Sequence, residues 1–120
     1  MGSNSCIFCK IVAGQIPSKV LWEDEAFLAF QDLHPQAKIH ALVVPKAHFA
    51  SLLEAVEGSE SRDPALLEKL LKAGVETART LGIAESGFRS VINTGTDGGQ
   101  TVFHLHLHII GGEMLRGGMA

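Results

Sequence analysis

His104, His106 and His108 alternate with Leu105, Leu107 and Ile109 near the end of a 120-residue chain. Side chains on a strand alternate between faces, so this spacing sends all three imidazoles to one side and the apolar residues to the core. Imidazoles two residues apart on one face stand about 7 Å from each other, a row along which a phosphate and its leaving group can lie. Such a row can attack, move protons or ligate a metal. One histidine on a strand is most often a surface residue, but three in strict alternation rarely are. Just upstream, Gly95, Gly98 and Gly99 free the backbone to turn N–H groups towards an anion, and the Thr101 hydroxyl adds a donor. Placed directly before the histidine row, this glycine-rich turn reads as a phosphate cradle.

The two cysteines, Cys6 and Cys9, form a C-x-x-C pair. That spacing is too local for a structural staple, and a redox pair usually opens a helix after a strand. Nothing strand-like precedes these two, so a metal is the better reading.

The elements that must hold these groups form one continuous α+β pattern over a single domain, residues 1–120, with a flexible start over 1–5 and a tail over 111–120. An apolar fraction of 46% suits a single core. Val20 to Glu23 and Ala26 to Gln31 read as strands joined by a tight turn at Asp24-Glu25, and Ile39 to Val44 as a third strand closed by Pro45. Leu66, Leu67, Leu70, Leu71, Val75, Ala78 and Leu81 keep helical spacing, with Asp63 as N-cap, Pro64 at the first helical position and Gly82 past the end. Phe88 to Asn93 and Thr101 to Ile110 read as two further strands joined by the loop 94–100. The expected architecture is one long helix on an antiparallel sheet of about five strands.

A chain of this size buries only about two thirds of the surface its unfolded form exposes, which favours pairing into a homodimer. The formal charge of -3 gives no sequence-wide reason to bind nucleic acid or an anionic membrane. No stretch approaches the roughly 18 apolar residues of a membrane span, and the start lacks a secretory signal, so the expected location is cytoplasmic. Met1-Gly2 resembles the opening of a myristoylation signal, but Cys6 stands where that signal wants Ser or Thr.

The run from Asn93 to Ile110, NTGTDGGQTVFHLHLHII, resembles the histidine triad signature. The likeness extends upstream through Ile7 to Ile11, Gly14 to Pro17, Trp22 to Glu25, Ala29 to Asp32 and Pro35 to His48, nearly the whole chain. It is nearest the Hint branch, the purine nucleoside phosphoramidases. The resemblance implies a nucleotidyl hydrolase acting on adducts of AMP or GMP type, with His106 as nucleophile and a nucleotidyl-histidine intermediate. It assigns His108, Thr101, Asn93 and Gly99 to the phosphate and Asp32 to the ribose hydroxyls. Phe8, Ile11, Ile16 and Phe30 match residues that sandwich the purine. His40 resembles a fourth active-site histidine, pairing with His104 to deliver a proton to the departing amine. From the residues alone, His40 is equally a satisfied polar group at a strand start, and the four apolar residues are simply core-like.

Catalysis of this kind needs no bound cofactor, since donors arranged around phosphorus suffice. Some bacterial relatives with the same opening cysteines hold a structural zinc, which here implies Cys6, Cys9, His48 and His104 as ligands, a closed tetrahedral set. His104 then serves zinc through one nitrogen and His40 through the other. The Trp-Pro-Pro-Gly-like tail of Hint proteins does not occur in this sequence, which leaves the leaving group open, and His34 reads as exposed. The rival readings are a dinucleoside polyphosphate hydrolase of the Fhit type, a nucleotidyl transferase, and a nucleotide-binding interaction protein with weak hydrolysis.

Overall fold

The structure is a computed structural model and describes residues 5–57 and 63–117. Strands β1 (Val20–Glu23) and β2 (Phe27–Gln31) form a hairpin, whose turn is closed by the Asp24 carboxylate accepting from the N–H groups of Ala26 and Phe27 at 2.9 and 2.7 Å. β3 (Ile39–Pro45) pairs with β2, and β5 (Leu107–Gly111) lies between β3 and the edge strand β4 (Phe88–Val91). All four pairings are antiparallel, in the order β1-β2-β3-β5-β4. The five-stranded antiparallel sheet with helices is the α+β architecture the sequence implies.

Period-two alternation divides this sheet into two chemically different faces. Phe27, Ala29, Ala41, Val43, Leu107 and Ile109 point to one side, where they meet Leu66, Leu70, Ala73 and Ala78 of the long helix α3 (Leu66–Thr80). Leu28, Phe30, Leu42 and Val44 point to the other, beneath Phe8 of α1 (Ile7–Val12). His40, Leu42 and Val44 share that second face by alternation, and the register sets His108 opposite Leu42. A third helix, α2 (Leu52–Glu57), adds Ala55 to the larger core.

Several expectations are corrected. The strand carrying the histidines begins at Leu107, not Thr101, because the preceding segment pairs with loops: the Leu105 N–H donates to the Phe49 carbonyl at 2.7 Å. β4 stops at Val91 rather than Asn93. α1 and α2 join the single expected helix. Ala65, not Asp63, is the N-cap of α3; Asp63 instead closes the preceding turn, accepting from the Ala65 N–H through Oδ1 at 2.8 Å. Leu71 and Val75 sit on the exposed side, while Gly74 and Thr77 take the buried one, the Thr77 hydroxyl donating to the Ala73 carbonyl at 2.8 Å. The helix end is as expected: Gly82 has φ +77°, and the N–H groups of Gly82 and Ile83 return to the carbonyls of Arg79 and Ala78.

The flexible start expected over 1–5 lies, apart from Ser5, outside the described residues, as do the last three residues of the expected tail. The rest of that tail is tied down, with the Arg89 guanidinium donating to the Arg116 carbonyl and the Lys38 N–H to Glu113, both at 2.7 Å. Among the described residues no helix is long and apolar enough to cross a membrane.

Gly74 lets α3 approach β5 closely: a Cβ there would lie 2.7 Å from Leu107 Cδ2 and 3.2 Å from Ile109 Cδ1. Leu107 and Ile109 are buried and cannot swing clear. Gly74→Val is therefore expected to cost about 1–3 kcal/mol by overpacking. A lowered urea midpoint bears this out, and an unchanged or raised midpoint contradicts it.

Candidate active site and metal centre

Each of the imidazoles of His40, His104, His106 and His108 has one nitrogen committed to a backbone group or a neighbouring ring, and these commitments set its tautomer. A carbonyl oxygen can only accept a hydrogen bond. His106 Nδ1 lies 2.7 Å from the His104 carbonyl, so Nδ1 carries the proton and Nε2, across the ring, keeps its lone pair. His104 Nε2 lies 2.8 Å from the Pro45 carbonyl, so it donates there and the lone pair is on Nδ1. The Gln36 N–H donates to His40 Nδ1 at 3.0 Å, which puts the His40 proton on Nε2. That Nε2–H meets His108 Nδ1 at 2.9 Å, with Asp32 Oδ2 also 3.3 Å from the same nitrogen. His108 is left with Nδ1 accepting and its own Nε2–H as a spare donor.

His40 therefore pairs with His108, not with His104 as expected. Both nitrogens of His104 are occupied elsewhere, so the division of that ring between a metal and His40 is also corrected: the second nitrogen goes to the Pro45 carbonyl. His106 stacks edge-on to His108, ring centroids 5.0 Å apart, and to Phe8 at 5.1 Å.

A cleft of about 700 Å³ opens beside this network, lined by Asp32, His40, Asn93, Thr101 and His108, with Arg89 and residues 113–117 as its other wall. His106 stands behind this lining and is 7% exposed. Asp32 Oδ1 accepts from the His34 N–H at 2.8 Å, which fixes the carboxylate, and His34 is exposed. Phe8, Ile11 and Phe30 belong to the apolar cluster behind the histidines, with the Phe8 and Phe30 rings edge to face at 5.4 Å. Ile16 is half-buried outside that cluster, and none of these four lines the cleft.

The glycine turn differs in detail from a row of N–H groups aimed at an anion. Its N–H groups close the turn on itself: Gly98 and Gln100 donate to the Gly95 carbonyl, Gly99 to Thr96, and Gly95 to Gln100 Oε1. Asn93 Nδ2 donates to the Gly98 carbonyl at 2.8 Å, and Gly99, at φ +87°, lies beside that amide and outside the cleft lining. Thr101 follows the turn and reaches the cleft. Gln100, unnoticed in sequence, is the buried clamp, its Nε2 donating to the carbonyls of Ala50 and Val102 at 2.8 and 3.0 Å. The tautomer-setting roles of Pro45 and Gln36 are likewise invisible in sequence because they act through the backbone.

Behind Phe8 the second constellation closes. His104 Nδ1 lies 3.3 Å from Cys6 Sγ, 3.6 Å from Cys9 Sγ and 3.2 Å from His48 Nδ1, and Cys9 Sγ lies 3.3 Å from that same His48 nitrogen. A tetrahedral zinc with the usual bond lengths has edges of about 3.3 Å between two nitrogens and about 3.6 Å between nitrogen and sulfur. Two sulfurs and two imidazole nitrogens at such spacings, with the His104 lone pair already turned inward, fit that ion. Cys6 is also the N-cap of α1, its sulfur accepting from the Cys9 N–H at 3.3 Å. Asp32, His40 and His108 form a second potential metal group. The Gln36 N–H opposes a metal there, because it keeps the proton on the His40 nitrogen that would have to bind.

With this geometry in hand, the likeness to known proteins is specific. Residues 13–115 match the HIT domain family. The chain is 44% identical to protein HitA of Neisseria gonorrhoeae, covering 90% of this chain and 96% of that one. Among solved structures, a histidine triad protein of Clostridium difficile superposes with a TM-score of 0.90 at 40% identity, covering 99% of this chain and all (100%) of that one. A HIT family hydrolase of Legionella pneumophila gives 0.83 at 40% identity, with coverage of 93% and 96%. A zinc-bound histidine triad family protein of Mycobacterium smegmatis gives 0.75 at 37%, with coverage of 91% and 76%. The chain belongs to the HIT domain family.

Burial favours the neutral form of the histidines of the two centres, His48 included. It lowers the pKa of His104 and of His108 to about 4, in His108 helped by His106 and His40 nearby, and lowers His40 and His106 against the partial opposition of Asp32 and the His104 carbonyl. In the unfolded chain these groups protonate near pH 6.5. The unfolded state thus binds more protons between about 6.5 and 4, and stability present above that window is lost as pH falls through it. The slope is at most about 1.4 kcal/mol per pH unit for each histidine, and less for partly exposed His108. Urea unfolding at pH 7, 6 and 5 is expected to show this decline; a flat profile contradicts it.

Proposed function

We propose that this chain is a hydrolase that cleaves purine nucleoside 5′-phosphoramidates, of AMP or GMP type, through a covalent nucleotidyl-histidine. The observation that carries this reading is the 2.7 Å bond from His106 Nδ1–H to the His104 carbonyl, which leaves Nε2 as a neutral nucleophile at pH 7. In the first step Nε2 attacks phosphorus and the P–N bond breaks. The His108 Nε2–H donates a hydrogen bond to the phosphoryl oxygen, and the amine, which leaves poorly as an anion, takes its proton from water in the cleft. His40 holds His108 in that donor form. Water then cleaves the phosphorus–nitrogen bond to His106, releasing the nucleoside monophosphate.

Thr101 and Asn93, with Gly99 supporting the Asn93 amide, flank the phosphate, and Asp32 accepts from the ribose hydroxyls at the cleft wall. The purine is assigned to the partly exposed Ile11, at the edge of the Phe8 and Phe30 cluster, together with Ile16 five residues on. No metal is needed for these steps. The Cys6, Cys9, His48 and His104 set is assigned a structural zinc, for which the zinc-bound Mycobacterium smegmatis relative is support. A homodimer in the cytoplasm is the assembly and location proposed, with a small nucleotide as partner.

The test is amine release from a fluorogenic adenosine phosphoramidate, with a diadenosine polyphosphate alongside. Turnover of the first, reduced by about 10³-fold or more in His106→Ala, is expected. Cleavage of the diadenosine compound alone would favour the Fhit-type reading, and binding of AMP without turnover of either would make the chain a binding protein. Asp32→Ala is expected to raise KM about tenfold for the ribonucleoside substrate but not for its 2′,3′-dideoxy analogue. Equal effects on both contradict the ribose assignment.

A further inference from the structure

The two centres share one residue in two different ways. The His104 ring lies among the sulfurs of Cys6 and Cys9 and the imidazole of His48, while its backbone carbonyl receives the proton that sets the tautomer of His106. The segment bearing that carbonyl has no strand ladder, since β5 begins only at Leu107. Its position rests on the Leu105 N–H to the Phe49 carbonyl, the Gln100 amide on the Val102 carbonyl, the His104 ring to the Pro45 carbonyl, and whatever holds His104 Nδ1. The same metal set also ties down α1, whose Phe8 ring stands against both His104 and His106, at 5.9 and 5.1 Å. Three separate chain segments, at residues 6–9, 48 and 104, therefore meet at one point directly behind the nucleophile.

We infer that the Cys6, Cys9, His48 and His104 metal centre is a positioning element of the catalytic site, holding the His104 carbonyl so that His106 presents Nε2 and not Nδ1. This deepens the hydrolase reading above and rests on it for its kinetic part. Without the ion, the carbonyl loses the restraint that acts through the His104 Nδ1 side, and the His106 proton exchanges more readily between its two nitrogens. The centre is also open to exchange, because a hollow of about 430 Å³ lined by Cys6, His48, Thr101 and Phe103 reaches it from outside. Metal occupancy then sets the fraction of molecules whose nucleophile is correctly poised.

The experiment uses the full chain with zinc, after chelation, and after zinc is restored, with metal content measured each time. Cys9→Ser is run in parallel as a second way to weaken the site. Two readouts are taken: kcat and KM on the phosphoramidate, and the imidazole ¹⁵N shifts of His106, which distinguish a proton on Nδ1 from one on Nε2. Zinc removal is expected to lower kcat about tenfold or more while KM changes less than about twofold, to mix the His106 tautomers, and to be reversed by zinc. Unchanged kcat and an unchanged single tautomer in folded, metal-free protein overturn the inference. So does a loss of activity that tracks only a loss of folded protein. If no form turns over substrate while AMP still binds, the hydrolase reading fails, and the His106 shifts alone decide: a zinc-dependent tautomer upholds the coupling, and an indifferent one overturns it.

Discussion

The hydrogen bond from His106 to the carbonyl of His104 is the constraint around which the site is arranged. An imidazole exchanges its proton between two nitrogens unless something fixes it, and only the nitrogen without the proton can attack. A backbone carbonyl two residues away is an economical way to fix it, since the peptide bond itself cannot change protonation state. The other histidines are fixed likewise, His104 by the carbonyl of Pro45 and His40 by the N–H of Gln36. The network is directional, running from Gln36 through His40 to His108 and ending in a donor that serves the cleft.

Packing keeps those bonds in place. The sheet presents one face to α3 and the other to the histidines and Phe8, so the large apolar core and the polar network do not compete for the same surface. The close approach of α3 at Gly74 presses on Leu107 and Ile109, the residues that alternate with His106 and His108. Burial then lowers the basicity of His104, His106 and His108, which favours the neutral form of the proposed nucleophile and of the donor beside it.

Much of this was legible in the sequence, and the reasons for the rest are physical. Strict alternation in His104 to Ile109 announced which side each residue faces, and that holds although half of the run is outside a strand: Leu105 packs into the core while His104 and His106 meet Phe8. The end of α3 was readable because Gly82 adopts the positive φ that glycine accepts most easily. Its start was not, because Asp63 has the chemistry of a cap but spends it on the turn before the helix. α1 and α2 span six residues each, too short for an amphipathic period to show. The partner of His40 could not be read locally, since it depends on β3 and β5 setting His108 opposite Leu42. The parts that Pro45 and Gln36 play in fixing tautomers carry no signal, because they come from main-chain atoms.

The most direct test of the account is to quench the protein during turnover of an adenosine phosphoramidate and locate any nucleotidyl group by mass spectrometry of its peptides. The account requires that group on His106, present in wild type during turnover and lost as substrate is exhausted. A nucleotidyl group on His104, His108 or His40 instead, or steady turnover with no protein-bound nucleotide at any time, would contradict it.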